Sequence, residues 1–258
     1  MSPFELTLGD RAVSARRHPG AAPTLVFCHG AGGNERSFDE LLAELPTSRA
    51  FLVPSLPGRL GSEGPPLGSV AEMARFVLAA AAAAGVEAPL FVGHSLGGAV
   101  ALEAALQAPE RVAGLALFAT GARLRVHPTI LEAHAHAAER GERVPLTLAW
   151  RADTDAGLVA RCEARRAETP PETTLADWRA ADGFDRMDAL AEVRAPALLV
   201  GGEEDALTPP KYMQYLDRHL AESELHLLPR AGHMLPHERA AEVAELLERF
   251  ASGLPKPG

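Results

Sequence analysis

Short apolar runs recur along the chain. Several end at glycine and are followed by apolar residues at helical spacing. Thr24–Cys28 is one such run, breaking at His29-Gly30-Ala31-Gly32-Gly33. Beyond it, Phe38, Leu41, Leu42 and Leu45 fall at i, i+3, i+4 and i+7, which predicts an amphipathic helix with Asn34 as its cap. Phe51–Val53 is a second strand, leading into a Pro/Gly-rich loop from Pro54 to Gly68. Ser69-Val70-Ala71-Glu72 has the spacing of a capping box and opens an alanine-rich helix that Gly85 stops. Leu90–Gly93, a helix over Ala99–Leu106, and a strand over Gly114–Phe118 follow. Ahead of all these, Phe4–Leu8 and Ala12–Arg16 are expected to form a hairpin turned at Gly9-Asp10.

From about Arg123 to Asp185 the rhythm breaks. This stretch is rich in Ala, Arg and Glu and is predicted to fold as three or four short helices. Strand spacing returns at Ala197–Gly201, then a helix at Lys211–Leu220, a strand at Glu224–Leu228 and a last helix over Pro236–Phe250. Strands alternating with helices predict a mostly parallel, doubly wound α/β sheet covered on both faces. The expected organisation is one core built from residues 1–122 and 186–258, with a small helical cap inserted at 123–185.

At 258 residues, with 47% hydrophobic and 23% charged content, the chain can bury a large core. A net charge of −9 argues against nucleic acid or an anionic membrane as main partner. Two cysteines, Cys28 and Cys162, suggest no disulfide framework. Neither a leader-like N-terminus nor a membrane-length apolar run is present, so the cytoplasm is the expected location, with no stable membrane insertion.

Candidate chemistry centres on Gly93-His94-Ser95-Leu96-Gly97, a Gly-x-Ser-x-Gly between a predicted strand and a predicted helix. That setting is expected of a nucleophile elbow, a turn tight enough to require small residues two places either side of the serine. A serine hydroxyl needs a base to take its proton and an acid to orient that base. Two later strands end in loops with suitable groups, Gly202-Glu203-Glu204-Asp205 and Ala231-Gly232-His233.

These pieces, with Leu56-Pro57-Gly58-Arg59-Leu60-Gly61-Ser62 and Asp205-Ala206-Leu207-Thr208-Pro209, give a chain that resembles the α/β-hydrolases of the capped esterase/lipase-like type along nearly its whole length. The resemblance implies Ser95 as nucleophile, Asp205 as acid and His233 as base, with Glu203 and Glu204 as solvated neighbours. It also implies an oxyanion hole from the amides of Leu96 and Ala31, with Gly30 giving the backbone close access to substrate. No metal or organic cofactor is implied. In two places the Pro-Gly loop departs from the common pattern, with Ser55 for Asp and Leu60 for His.

The remaining histidines are assigned structural roles: His94 packing support, His29 loop stabilisation, His237 exposed. His134 and His136 are spaced too poorly to share a helix face. Arg161, Arg165 and Arg166 are expected on a solvated helix face rather than greeting a carboxylate or phosphate. The leading expectation is hydrolysis of a small-to-medium carboxylic ester through an acyl-enzyme, with a small acyl molecule as partner. An editing-type thioesterase, a lactonase or a carbon–carbon bond hydrolase would use the same triad. A non-catalytic receptor on the same fold is the rival of another class, and nothing in the sequence sets the oligomeric state.

Overall fold

In the computed structural model, residues 4–59 and 61–254 are described. Met1–Pro3, part of the N-terminus judged not to be a leader, and Leu60 lie outside the described residues. β1 (Phe4–Leu8) and β2 (Arg11–His18) form the predicted hairpin, with Gly9 at φ +66° in the turn. The other strands are β3 (Ala21–Cys28), β4 (Arg49–Pro54), β5 (Leu90–His94), β6 (Gly114–Phe118), β7 (Ala197–Gly202) and β8 (Ser223–Leu228). Among the described residues they make one sheet in the order β1-β2-β4-β3-β5-β6-β7-β8. Pairing is antiparallel from β1 to β4 and parallel from β4 onward.

Alternation along the central strands splits the core in two. Val26, Phe91, Leu117 and Leu199 face α2 (Val70–Ala83), α3 (Leu96–Gln107) and α7 (Pro210–His219). Their neighbours Phe27, Val92, Phe118 and Val200 face α1 (Asp39–Glu44) and α9 (Ala240–Gly253). Because both faces are covered, these strands read as unbroken apolar runs. The Ser69 hydroxyl caps α2, accepting from the Glu72 amide, and Gly85 follows the helix at φ +73°.

Three local expectations change. Asn34 does not cap α1; its side chain accepts from the Arg36 amide and donates to the Arg165 carbonyl, which ties it to a distant helix instead. α3 starts at Leu96, taking in Gly97 and Gly98. The final helix is two: α8 (Leu235–Glu238) ends where Arg239 leaves helical geometry, and Glu238 turns back to accept from the Gly232 and Arg151 amides.

Between β6 and β7 lie α4 (Pro128–Arg140), α5 (Ala156–Arg166) and α6 (Pro171–Asp182). This segment leaves and returns at adjacent points, where Arg186 donates its amide to Ala122 and Arg123 bridges Asp185. Polar clamps join it to the sheet body. Arg59 pairs with Asp177 at a fully buried site, and the Gly32 amide donates to Asp177 Oδ2 at 2.8 Å. Arg165 donates to both Glu40 oxygens at 2.9 and 2.7 Å, and His237 Nδ1 lies 2.8 Å from Glu40 Oε2. Arg165 and Arg166 therefore line an interface, with side chains 15% and 13% exposed, while Arg161 alone of the three is solvated. His237 is buried, not exposed.

Two outcomes follow from these contacts. A Cβ at Gly97 would lie 1.8 Å from the Cys28 carbonyl oxygen, backbone against backbone. Gly97→Ala is expected to cost about 3 kcal/mol or more in urea unfolding, whereas Gly253→Ala, with nothing within 4 Å, costs little. Burial acts to raise the Glu40 carboxyl pKa, but hydrogen bonds and charge from His237 and Arg165 hold it well below the ordinary 4.5. A depressed folded-state pKa stabilises fully above that ordinary value and is lost as pH falls. Wild-type stability should therefore drop more steeply than that of Glu40→Gln between about pH 5 and 3 in thermal melts.

Candidate active site

The elbow is built by close contact of glycines. At φ 56° and ψ −122°, Ser95 joins β5 to α3 in a conformation that costs a non-glycine residue of order 1–3 kcal/mol. The surroundings hold it there: its amide donates to the Phe118 carbonyl at 2.9 Å, and Thr120 Oγ1 donates to its carbonyl at 2.7 Å. Gly93 and Gly97 are needed because a Cβ at Gly93 would meet the Gly97 carbonyl at 2.2 Å. Gly98 carries the same demand, since its Cβ would sit 2.5 Å from Thr120. The loop after β3 packs onto this turn, with the Cβ position of Gly30 only 3.5 Å from Ser95 Cβ. Ala31, on the loop after β3, and Leu96, at the start of α3, line the cleft with the serine; the Leu96 amide belongs to the first helical turn, where N–H groups lack partners within the helix.

Past β7 and β8 the two loops are joined backbone to backbone. Glu203 and Glu204 donate their amides to Leu228 and Ala231, an approach that Gly202 permits because a Cβ there would lie 2.3 Å from the Ala231 carbonyl. The junction brings Asp205 and His233 together: His233 Nδ1 lies 2.9 Å from Asp205 Oδ2, with side chains 4% and 0% exposed. Asp205 Oδ1 accepts from the amides of Leu207 and Thr208, both at 2.8 Å. Burial would raise the Asp205 pKa; the charge and hydrogen bond of His233, with those from Thr208, bring it below its usual value. Glu203 and Glu204 are exposed, and Glu204 pairs with Arg151 at 3.2 Å.

Thr208, to which the sequence alone assigns no role, joins the candidate site. Its hydroxyl donates to Asp205 Oδ2 at 2.7 Å and lies 3.2 Å from His233 Nδ1. The signal was available, since Asp followed three places later by Thr is a side-chain-to-backbone turn spacing. His94 packs directly against His233 and reaches the cleft wall. Its Nε2 donates to the His233 carbonyl at 2.8 Å and its ring tilts against that of His233 at 5.0 Å, while burial takes its pKa down to about 3. His29 holds the neighbouring loop, Nδ1 donating to Gly30 and Nε2 accepting from the Leu56 amide. His134 is buried against Trp178 and His136 is exposed.

Ser95 and His233 line one cleft with two lobes, which also share Ala31, Trp178 and Leu207. One lobe adds Cys162, Arg165, Arg166 and His237; the other adds Leu124, Val126, Ile130 and Tyr212. Among the described residues, the group whose metal-ligating atoms converge is Glu40, Cys162 and His237, within 4.8 Å of one another. Arg165 already occupies that carboxylate. Among the described residues no helix is long and apolar enough to cross a membrane.

A pimeloyl-acyl-carrier-protein methyl ester esterase of Neisseria meningitidis serogroup B is 33% identical over 258 residues, covering 91% of this chain and 95% of that protein. The solved structure of a thermophilic esterase superposes with a TM-score of 0.83 at 28% identity, covering 98% of this chain and 99% of the other. An enol-lactonase of Burkholderia xenovorans shares the fold, with a TM-score of 0.85 at 21% identity, over 96% of this chain and 100% of its own. Residues 25–246 match the model of the alpha/beta hydrolase family, from the third strand to the last helix, and the chain belongs to that family.

Proposed function

We propose that the protein is a serine hydrolase that cleaves small-to-medium carboxylic esters through an acyl-enzyme on Ser95. The observation that carries this reading is the buried Asp205–His233 pair, whose His233 lines the same cleft as a serine held at positive φ. In this reading, His233 takes the Ser95 proton through Nε2 as the hydroxyl attacks the ester carbonyl. Asp205 fixes the tautomer by accepting from Nδ1 and steadies the imidazolium that forms. The amides of Ala31 and Leu96 receive the developing oxyanion, each such donor contributing about 2.7–4 kcal/mol. Gly30 keeps side-chain bulk away from that point. His233 then returns its proton to the departing alkoxide, and water releases the acid by the same steps.

The segment 123–185 acts as a cap that closes the cleft from above and, with Trp178, forms its roof. A neutral His94 behind His233 suits the mechanism because it adds no charge to compete with the imidazolium. The relative named for a methyl ester favours an ester with a small alcohol.

A fluorophosphonate probe should label Ser95, read by peptide mass mapping, and Ser95→Ala should lower kcat on a neutral ester by about 10⁶-fold. Labelling elsewhere on folded protein would defeat the assignment. Asp205→Asn should lower kcat by about 10⁴-fold, while Glu203→Gln and Glu204→Gln stay near wild type. Collapse of either glutamine variant with Asp205→Asn intact would move the acid to that position. Faster turnover of a thioester or lactone than of any ester in the same assays would shift the substrate class.

A further inference from the structure

The buried wall of the first lobe carries a cation that the ester reading leaves without a use. Arg166 closes α5 and lines the cleft together with Ser95, Ala31 and Trp178. A Cβ at Gly32, one residue beyond Ala31, would lie 3.1 Å from Arg166 Nη2, so the guanidinium stands beside the proposed oxyanion loop. Its neutralisation is one-sided. Nη1 donates to Glu163 at 3.0 and 3.2 Å, and Nε has no hydrogen-bond partner.

Asp177 acts on Arg166 by charge alone. Asp177 Oδ2 is held by Arg59 and the Gly32 amide, and its Oδ1 is without a partner. A buried donor left unmet costs about as much as a lost hydrogen bond, and a buried charge needs close compensation. Glu163 falls short of supplying it: burial lowers the Arg166 pKa by more than Glu163 and Asp177 raise it. Arg165 beside it differs, because Glu40 and Asp39 take up its guanidinium. Trp178, on the same wall, also has an unpartnered indole N–H. What this wall lacks is an acceptor, and an anionic one best.

We propose that Arg166 is a specificity determinant that receives a carboxylate at the far end of the acyl chain, so that half-esters of short dicarboxylic acids are preferred substrates. The proposal rests on the Ser95 ester reading for turnover and on Arg166 alone for the preference. Closeness of the guanidinium to the Gly32 loop favours a short acyl chain, of succinate or glutarate size, between the oxyanion amides and the guanidinium. A planar fork suits a carboxylate better than a point charge does.

Monomethyl glutarate and methyl valerate, equal in chain length and differing in the terminal charge, give the test, with methanol release as readout. Wild type should favour the acid, and Arg166→Gln should cut the ratio of the two kcat/KM values by about 10- to 100-fold. Arg166→Lys, which keeps the charge, should recover part of that ratio. A fall of both substrates in step, with a lowered Tm, would mean that Arg166 only offsets Asp177 and Glu163, and would overturn the proposal. So would a wild-type preference for methyl valerate. Calorimetric titration of both esters into Ser95→Ala protein reads the same discrimination without turnover. Absence of hydrolysis and of probe labelling would count against the ester reading, while equal affinities in that titration would count against Arg166.

Discussion

Everything in the cleft depends on how closely two pieces of backbone approach. The first turn of α3 lies against the end of β3 so tightly that no side-chain atom fits at Gly97, and Gly93 meets Gly97 in the same way. This contact brings three things to one place: the strained serine, the free amides of a helix start and the glycine loop after β3. None of them would hold its position alone. A residue at φ 56° reverts to a relaxed conformation unless packing over-determines it, and here the backbone on both sides is pinned.

The second pair of loops uses the same device in a different chemistry. Gly202 lets the β7 loop lie on the β8 loop, and an acid and a histidine far apart in sequence meet with their side chains almost wholly buried. Burying a carboxylate is costly unless its lone pairs are used. Asp205 spends them on two amides, a hydroxyl and the imidazole. It is held rigid as well as ionised. His94 completes the arrangement from behind, fixing the His233 backbone rather than its ring nitrogens.

Much of this was legible in the sequence because it is local. Strand runs, the capping box at Ser69 and the glycine spacing around Ser95 are each set by neighbours a few residues apart. The candidate acid and histidine could be proposed because they follow strands that end at one edge of a parallel sheet. Contacts between the insertion and the body were not legible. Arg165 and Arg166 have the spacing of a solvated face, and only the approach of Glu40 and the cleft makes them interior. His237 was misjudged for the same reason, since Glu40 and Trp150 that cover it come from distant segments. Asn34 looked like a cap because capping is a local habit; a longer-range partner claimed it. Polar groups are hard to place from sequence alone because their partners, unlike those of an apolar stripe, follow no period.

The inserted helices leave and rejoin the sheet body at one point, where Ala122 and Arg186 share a backbone hydrogen bond and Arg123 meets Asp185. To the sheet, therefore, sixty-odd residues amount to a closed loop whose ends already touch. Lengthening such a loop costs little, because the entropy of closure grows only with the logarithm of its size. β6 and β7 pair side by side whatever lies between them. The sheet body and the inserted helices can thus change at different rates: an insertion with other helices, other charges or another length can be carried on an unaltered sheet, without putting the turn at Ser95 at risk.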